Sequence, residues 1–175
     1  MTLGIIIVFT GLISLATIDF SNTAFAGTQI YSAQLSGDQE VPPVQTTNAS
    51  GTADFRIPLS AISTPQAAID YTVNGTGIEN VVTAAHIHMG KMGENGDIVV
   101  TLCKAETCSA GGGGSGGGTL SLTGTFNATN LEGPMAGKQI EDLANEMTNG
   151  GTYVNVHTEQ NPNGEIRGQI TGGTQ

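Results

Sequence analysis

The sequence has no tryptophan, only two cysteines, and five basic residues against fifteen acidic ones, for a formal net charge of −10. Each shortage argues against a class of function. The five cations, Arg56, Lys91, Lys104, Lys138 and Arg167, are scattered along the chain, so a phosphate backbone would find little to neutralise it, and nucleic acid is not expected as a partner. Five Phe and three Tyr give a sugar little to stack on, which weakens a glycosidase reading even though Asp97 and Glu165 could supply a carboxylate pair. No nucleophile elbow is expected for a hydrolase, since Gly-x-Ser-x-Gly occurs only inside the glycine tract around Ser115, and neither cysteine lies beside a histidine as a blue-copper site requires. What the charge balance favours is solubility, attraction of cations, or a basic partner.

Long apolar runs are also scarce, with one exception at the start. Residues Leu3 to Ile18 form a mainly apolar stretch, Asp19 to Thr23 are polar apart from Phe20, and Ala24-Phe25-Ala26 has the small-x-small pattern of a signal-peptidase site. This predicts a signal peptide over residues 1–26 and one domain over residues 27–175, secreted or held at the cell surface, with no membrane span after cleavage. No Lys or Arg precedes the apolar run; a retained anchor is the less favoured alternative, because the run is short for a bilayer. Three Asn-x-Ser/Thr sequons at Asn48, Asn74 and Asn127 agree weakly with export. Cys103 and Cys108 are close enough to form a local disulfide in an oxidising compartment, and too few and wrongly spaced for a zinc knuckle or a redox motif.

What is abundant is glycine, 26 residues in all, and short alternating runs. Thr28 to Leu35, Ala53 to Leu59, Ile69 to Val73, Ala84 to Met89, Ile98 to Leu102, Leu120 to Phe126, Tyr153 to His157 and Ile166 to Ile170 each alternate, or nearly alternate, apolar with polar or small residues. Turn chemistry at Pro42-Pro43, Asn74-Gly75, Asn95-Gly96 and Asn163-Gly164 is expected to separate them. One segment departs: between Lys138 and Asn149, Ile140, Leu143, Ala144 and Met147 fall at helical spacing, with Glu141 and Asp142 in the first turn. The tract Gly111 to Gly118 lacks the Lys-Ser/Thr of a phosphate-binding loop and reads as a connector. The expected fold is all-β, a sandwich or barrel of about eight strands with one short capping helix.

All three histidines fall in two of these strands. Alternation puts His86 and His88 on the face opposite Ala85, Ile87 and Met89, and His157 opposite Val154 and Val156, beside Tyr153 and Asn155. Pairing Val154 with Gly168 and Val156 with Ile166 sets Asn155 across from Arg167 and His157 across from Glu165; pairing Ile87 with Ile98 sets His88 across from Asp97. If the two hairpins share a sheet, His86, His88 and His157 meet on a solvent face and could bind copper or zinc, with the acids as ligands or supporting partners. Three surface histidines paired with acids, each pair worth roughly 0–1 kcal/mol, is the plainer alternative.

The stretches YSAQLSGDQEVPPVQTTNASGTADF, AAHIHMGKMGENGDIVVTLC and GGTYVNVHTEQNPNGEIRGQI resemble the CHRD domain, a module first recognised as a repeat in chordin and present in microbial secreted proteins. The resemblance runs from Tyr31 to Ile170 and implies a secreted, β-rich domain of immunoglobulin-like, Greek-key or barrel kind. The matching positions are His86, His88, Gly90, Gly96, Tyr153, Asn155, His157, Pro162, Gly164, Glu165, Arg167 and Gly168. The segment from Cys103 to Gly118 departs from the family pattern as an insert. The resemblance supplies compartment and fold, and little about activity.

Three functions remain. A non-enzymatic extracellular binding domain, holding copper or zinc or touching an extracellular or cell-envelope protein through the histidine face, is favoured. A mononuclear copper redox enzyme of superoxide-dismutase type is the enzymatic rival, since a dinuclear centre needs more histidines. A structural cell-envelope component, with Arg167 bridging Asn155 and Glu165, is the third.

Overall fold

The computed structural model describes residues 27–110 and 118–173. The expected signal segment and most of the glycine tract lie outside the described residues. Every alternating run identified above forms a strand: β1 (Thr28–Ser36), β2 (Ser50–Pro58), β3 (Ala68–Ile78), β4 (Val82–Met89), β5 (Ile98–Lys104), β6 (Gly118–Asn127), β7 (Thr152–Thr158) and β8 (Ile166–Gln169). A two-residue strand, β9 (Thr171–Gly172), adds to the side of β1.

These strands make one antiparallel sheet in the order β5-β4-β7-β8-β1-β2-β3-β6. Of the two architectures expected, the chain therefore adopts the barrel. Its outer strands, β5 and β6, approach across a seam where the Tyr71 hydroxyl donates to the Leu102 carbonyl at 2.8 Å. A cavity of about 410 Å³ remains there, lined by residues of both strands, so the barrel is nearly closed. Curling a sheet this way hides most of its unpaired edge groups. The inward positions, among them Phe55, Ile57, Ile69, Val73, Ala85, Ile87, Val154, Val156 and Ile166, are fully buried.

The amphipathic segment forms helix α2 (Ile140–Thr148), which buries the four apolar residues picked out by its spacing. Asp142 accepts from the backbone N–H of Gln139 at 2.9 Å, closing the helix start. Tyr31 of β1 reaches the helix, its hydroxyl donating to the Ala144 carbonyl at 3.0 Å. A second, short helix, α1 (Ala105–Ala110), precedes the glycine tract, inside the segment read as an insert. Thr107 closes its first turn by accepting from Lys104 N–H at 2.9 Å, and the Cys103–Cys108 disulfide expected from the spacing ties it to β5. Among the described residues no helix is long and apolar enough to cross a membrane.

One expected turn is absent. Asn74-Gly75 runs straight through β3, because Asn74 is paired with both Thr52 and Ser121, and Gly75 with both Gly51 and Leu120. Two flanking strands override the turn preference of the dipeptide.

Candidate metal centre

The histidine strands are direct neighbours. β4 pairs with β7, setting His86 across from Asn155, His88 across from Tyr153 and Ala84 across from His157. Because side chains alternate, the three imidazoles leave their strands on one face. Their ring centroids lie 5.6 Å apart for His86–His88, 5.0 Å for His86–His157 and 6.0 Å for His88–His157. One nitrogen from each ring falls within 4.8 Å of the other two; ligands on bonds of about 2 Å stand at most about 4 Å apart, so one ion would draw the three rings slightly together.

Backbone carbonyls decide which nitrogens are available. His157 Nδ1 lies 3.0 Å from the Pro162 carbonyl and His88 Nδ1 2.9 Å from the Gly96 carbonyl. A carbonyl only accepts, so each Nδ1 carries the proton and each Nε2 presents a lone pair. His157 Nε2 faces His86 Nδ1 at 3.1 Å. His88 Nε2 is buried with no hydrogen-bond partner. A neutral imidazole oriented by its other nitrogen is the arrangement that metal-ligating histidines use.

Burial keeps the rings neutral. It is the chief cause of the lowered pKa of all three; His86 falls to about 4, with His157 and His88 adding repulsion. At His88 and His157 the carbonyl hydrogen bonds offset only part of the drop. Near pH 7 the cluster therefore offers unprotonated nitrogens.

The surroundings differ from the sequence expectation in four ways. First, the face is not open to solvent: every residue of β7 is buried, and His88, Asn155, His157, Glu165 and Arg167 are each no more than 9% exposed. The loops at 38–44, 91–97 and 159–164 cover it, and Asn95 Nδ2 joins two of them by donating to the Val41 carbonyl at 2.8 Å. Second, Asp97 does not sit across from His88. The β4–β5 register shifts twice, pairing Ile87 with Val100 and His88 with Ile98, and Asp97 is exposed. A bulge adds a residue to one strand and breaks the simple count.

Third, Glu165 does not reach His157. The pairs Val154–Gly168, Asn155–Arg167 and Val156–Ile166 are as expected, but pairing stops there. The Glu165 carboxylate accepts from Thr47, Thr158 and Asn161. Burial alone would raise its pKa, and these three donors together bring it below the usual value. Fourth, Arg167 bridges neither Asn155 nor Glu165. Its guanidinium lies 3.4 Å from the centre of the Tyr153 ring and donates to Asn95 Oδ1 (3.1 Å) and to the carbonyls of Lys91 (3.1 Å) and Glu94 (2.7 Å). Three loop acceptors and an aromatic face satisfy a planar cation better than one distant carboxylate.

Tyr153 thus supports the site from β7. Its ring stacks on His88, with centroids 4.9 Å apart and planes 7° from parallel. Its hydroxyl accepts from Gly96 N–H at 3.1 Å, so Gly96 fixes Tyr153 through its N–H and His88 through its carbonyl. A Cβ on Gly96 would collide with the Met89 carbonyl. Sequence reasoning missed Glu40, which is 5% exposed and approaches Asn155. Its only signal was a carboxylate just before Val41-Pro42-Pro43.

No curated protein matches the chain significantly. The family model of the CHRD domain matches residues 31–170, a span that contains all three histidines and every residue that orients them. The chain belongs to the CHRD domain family.

Proposed function

We propose that this protein is an exported binding domain that holds one copper or zinc ion through His86, His88 and His157. The observation that carries the reading is the buried, unpartnered Nε2 of His88, held beside a His86–His157 contact in which two ring nitrogens face each other. A buried polar atom without a partner costs about 1–3 kcal/mol, and an ion at this point would satisfy all three rings at once. Three imidazole nitrogens suit copper or zinc, whereas calcium prefers oxygen ligands. The acidic surface would draw cations toward it. Metal analysis of protein purified without an affinity tag tests this: one equivalent of copper or zinc per chain is expected, and no metal together with no uptake on titration would refute it.

The redox reading is supported by one feature, the half-buried His86 edge of the cluster, through which a small molecule could reach a copper ion held by three neutral ligands. Accelerated superoxide decay by the copper-loaded protein would favour it, and unchanged decay would leave the binding role alone. As an exported component the domain would meet extracellular or cell-envelope proteins, and pull-down from an envelope fraction would test that contact.

A further inference from the structure

Glu40 stands against the turn that holds His157. Its carboxylate is packed over Gly164, where a Cβ would strike both carboxylate oxygens and the Asn155 Oδ1, and Gly164 has φ +138°. Glu40 Oε1 and Asn155 Oδ1 are both buried and both without a hydrogen-bond partner. The Asn155 amide meanwhile divides its donors between Glu40 Oε2 and the Asn163 carbonyl, each at a long 3.4 Å. Two acceptors buried side by side are unfavourable unless one carries a proton.

We propose that Glu40 is a positioning residue for the metal centre: protonated, it donates to Asn155 and leaves the amide on the Asn163 carbonyl, which keeps the Pro162 carbonyl on His157. Once ionised, the carboxylate competes for the Asn155 amide and releases Asn163. The turn then loosens, and the hydrogen bond that directs His157 Nε2 into the site weakens. This inference rests on the metal reading for its consequence, and its geometry is independent of that reading.

The groups facing Glu40 allow this to happen near neutrality. Burial raises its pKa to about 7 against the opposing pull of Arg167 on β8 and the Asn155 hydrogen bond, with Glu165 adding a smaller upward push. Asp38, on the same segment, lines the adjoining cavity of about 330 Å³ together with Glu40 and Arg167.

Two measurements on wild type and Glu40→Gln decide it, the glutamine keeping the shape of the protonated acid. In zinc titrations the two proteins bind equally at pH 5.5, and at pH 8 the variant binds on the order of tenfold tighter; an affinity ratio that does not change with pH overturns the proposal. In the metal-free protein, the His157 ring resonances follow a transition centred near pH 7 in wild type that is absent from Glu40→Gln; the same transition in both overturns it. If neither protein takes up zinc, the metal reading fails, and the resonances of the metal-free protein still decide the role of Glu40.

Discussion

His86 Nδ1 and His157 Nε2 stand 3.1 Å apart across the neighbouring strands β4 and β7. With His157 Nδ1 committed to the Pro162 carbonyl, His157 Nε2 can only accept, so in the metal-free protein His86 Nδ1 must carry a proton to make this contact. For His86 Nδ1 to hold an ion, that proton would move to His86 Nε2, the ring changing tautomer, and His88 Nε2 would gain the partner it lacks.

Replacing His88 by alanine should reduce copper or zinc affinity at least about a hundredfold, in line with loss of a metal ligand. The fold should survive, because the lost ring removes an unsatisfied nitrogen as well as its stack on Tyr153. Calorimetric titration and thermal melting of the metal-free variant check the two halves. The tyrosines are Tyr31, Tyr71 and Tyr153, and tryptophan is absent, so copper quenching of tyrosine fluorescence through Tyr153 gives an independent readout.

Arg167→Ala should act in the opposite way, lowering stability by about 3 kcal/mol. It uncovers Tyr153 and strands the acceptors of Lys91, Glu94 and Asn95. Arg167→Lys should recover little, because an ammonium cannot reach three separated acceptors while lying flat on a ring. Urea unfolding of the metal-free proteins measures both.

The pH dependence of stability should show two opposed contributions. Above pH 6.5 the histidines are neutral whether folded or not. Below it the unfolded chain takes up protons that the folded cluster refuses, so stability falls as the pH drops toward the His86 value of about 4. Glu40 works the other way: folded it holds its proton up to about pH 7, unfolded only to the ordinary glutamate value of 4.5. Its burial is therefore penalised progressively as pH rises between those values and fully above the higher one. Glu40→Gln should raise the melting temperature by an amount that grows from pH 5 to pH 7 and then stays level.

Opening the Cys103–Cys108 bridge, by Cys108→Ser or by reductant, should lower stability by about 2 kcal/mol, as expected for a short closed loop. Cys108, a residue of α1, is fully buried, so the loss should register in thermal melting. Metal affinity should persist, since none of the hydrogen bonds orienting the three rings involves α1.

Much of this was legible in the sequence, and the limit has a physical cause. Period-two alternation specified the eight principal strands, the shared face of His86 and His88, and the register of Val154 with Gly168 and Val156 with Ile166. Alternation is a property of one strand, so it could not reveal that β7 inserts between β4 and β8, which is what brings His157 to the other two rings. Nor could it reveal the bulges that shift His88 onto Ile98, because an added residue depends on what packs above it. The orienting groups at Gly96 and Pro162 are main-chain carbonyls, which no side-chain pattern records. Burial of the polar face follows from three loops closing over it, and Glu40 enters the site only through that closure.

The most direct test is electron paramagnetic resonance of the tag-free protein titrated with copper(II). The account predicts saturation at one ion per chain, with nitrogen hyperfine structure from three imidazoles that is lost or simplified in each of His86→Ala, His88→Ala and His157→Ala. A copper signal that survives all three substitutions unchanged, or no protein-bound copper at any ratio, would contradict it.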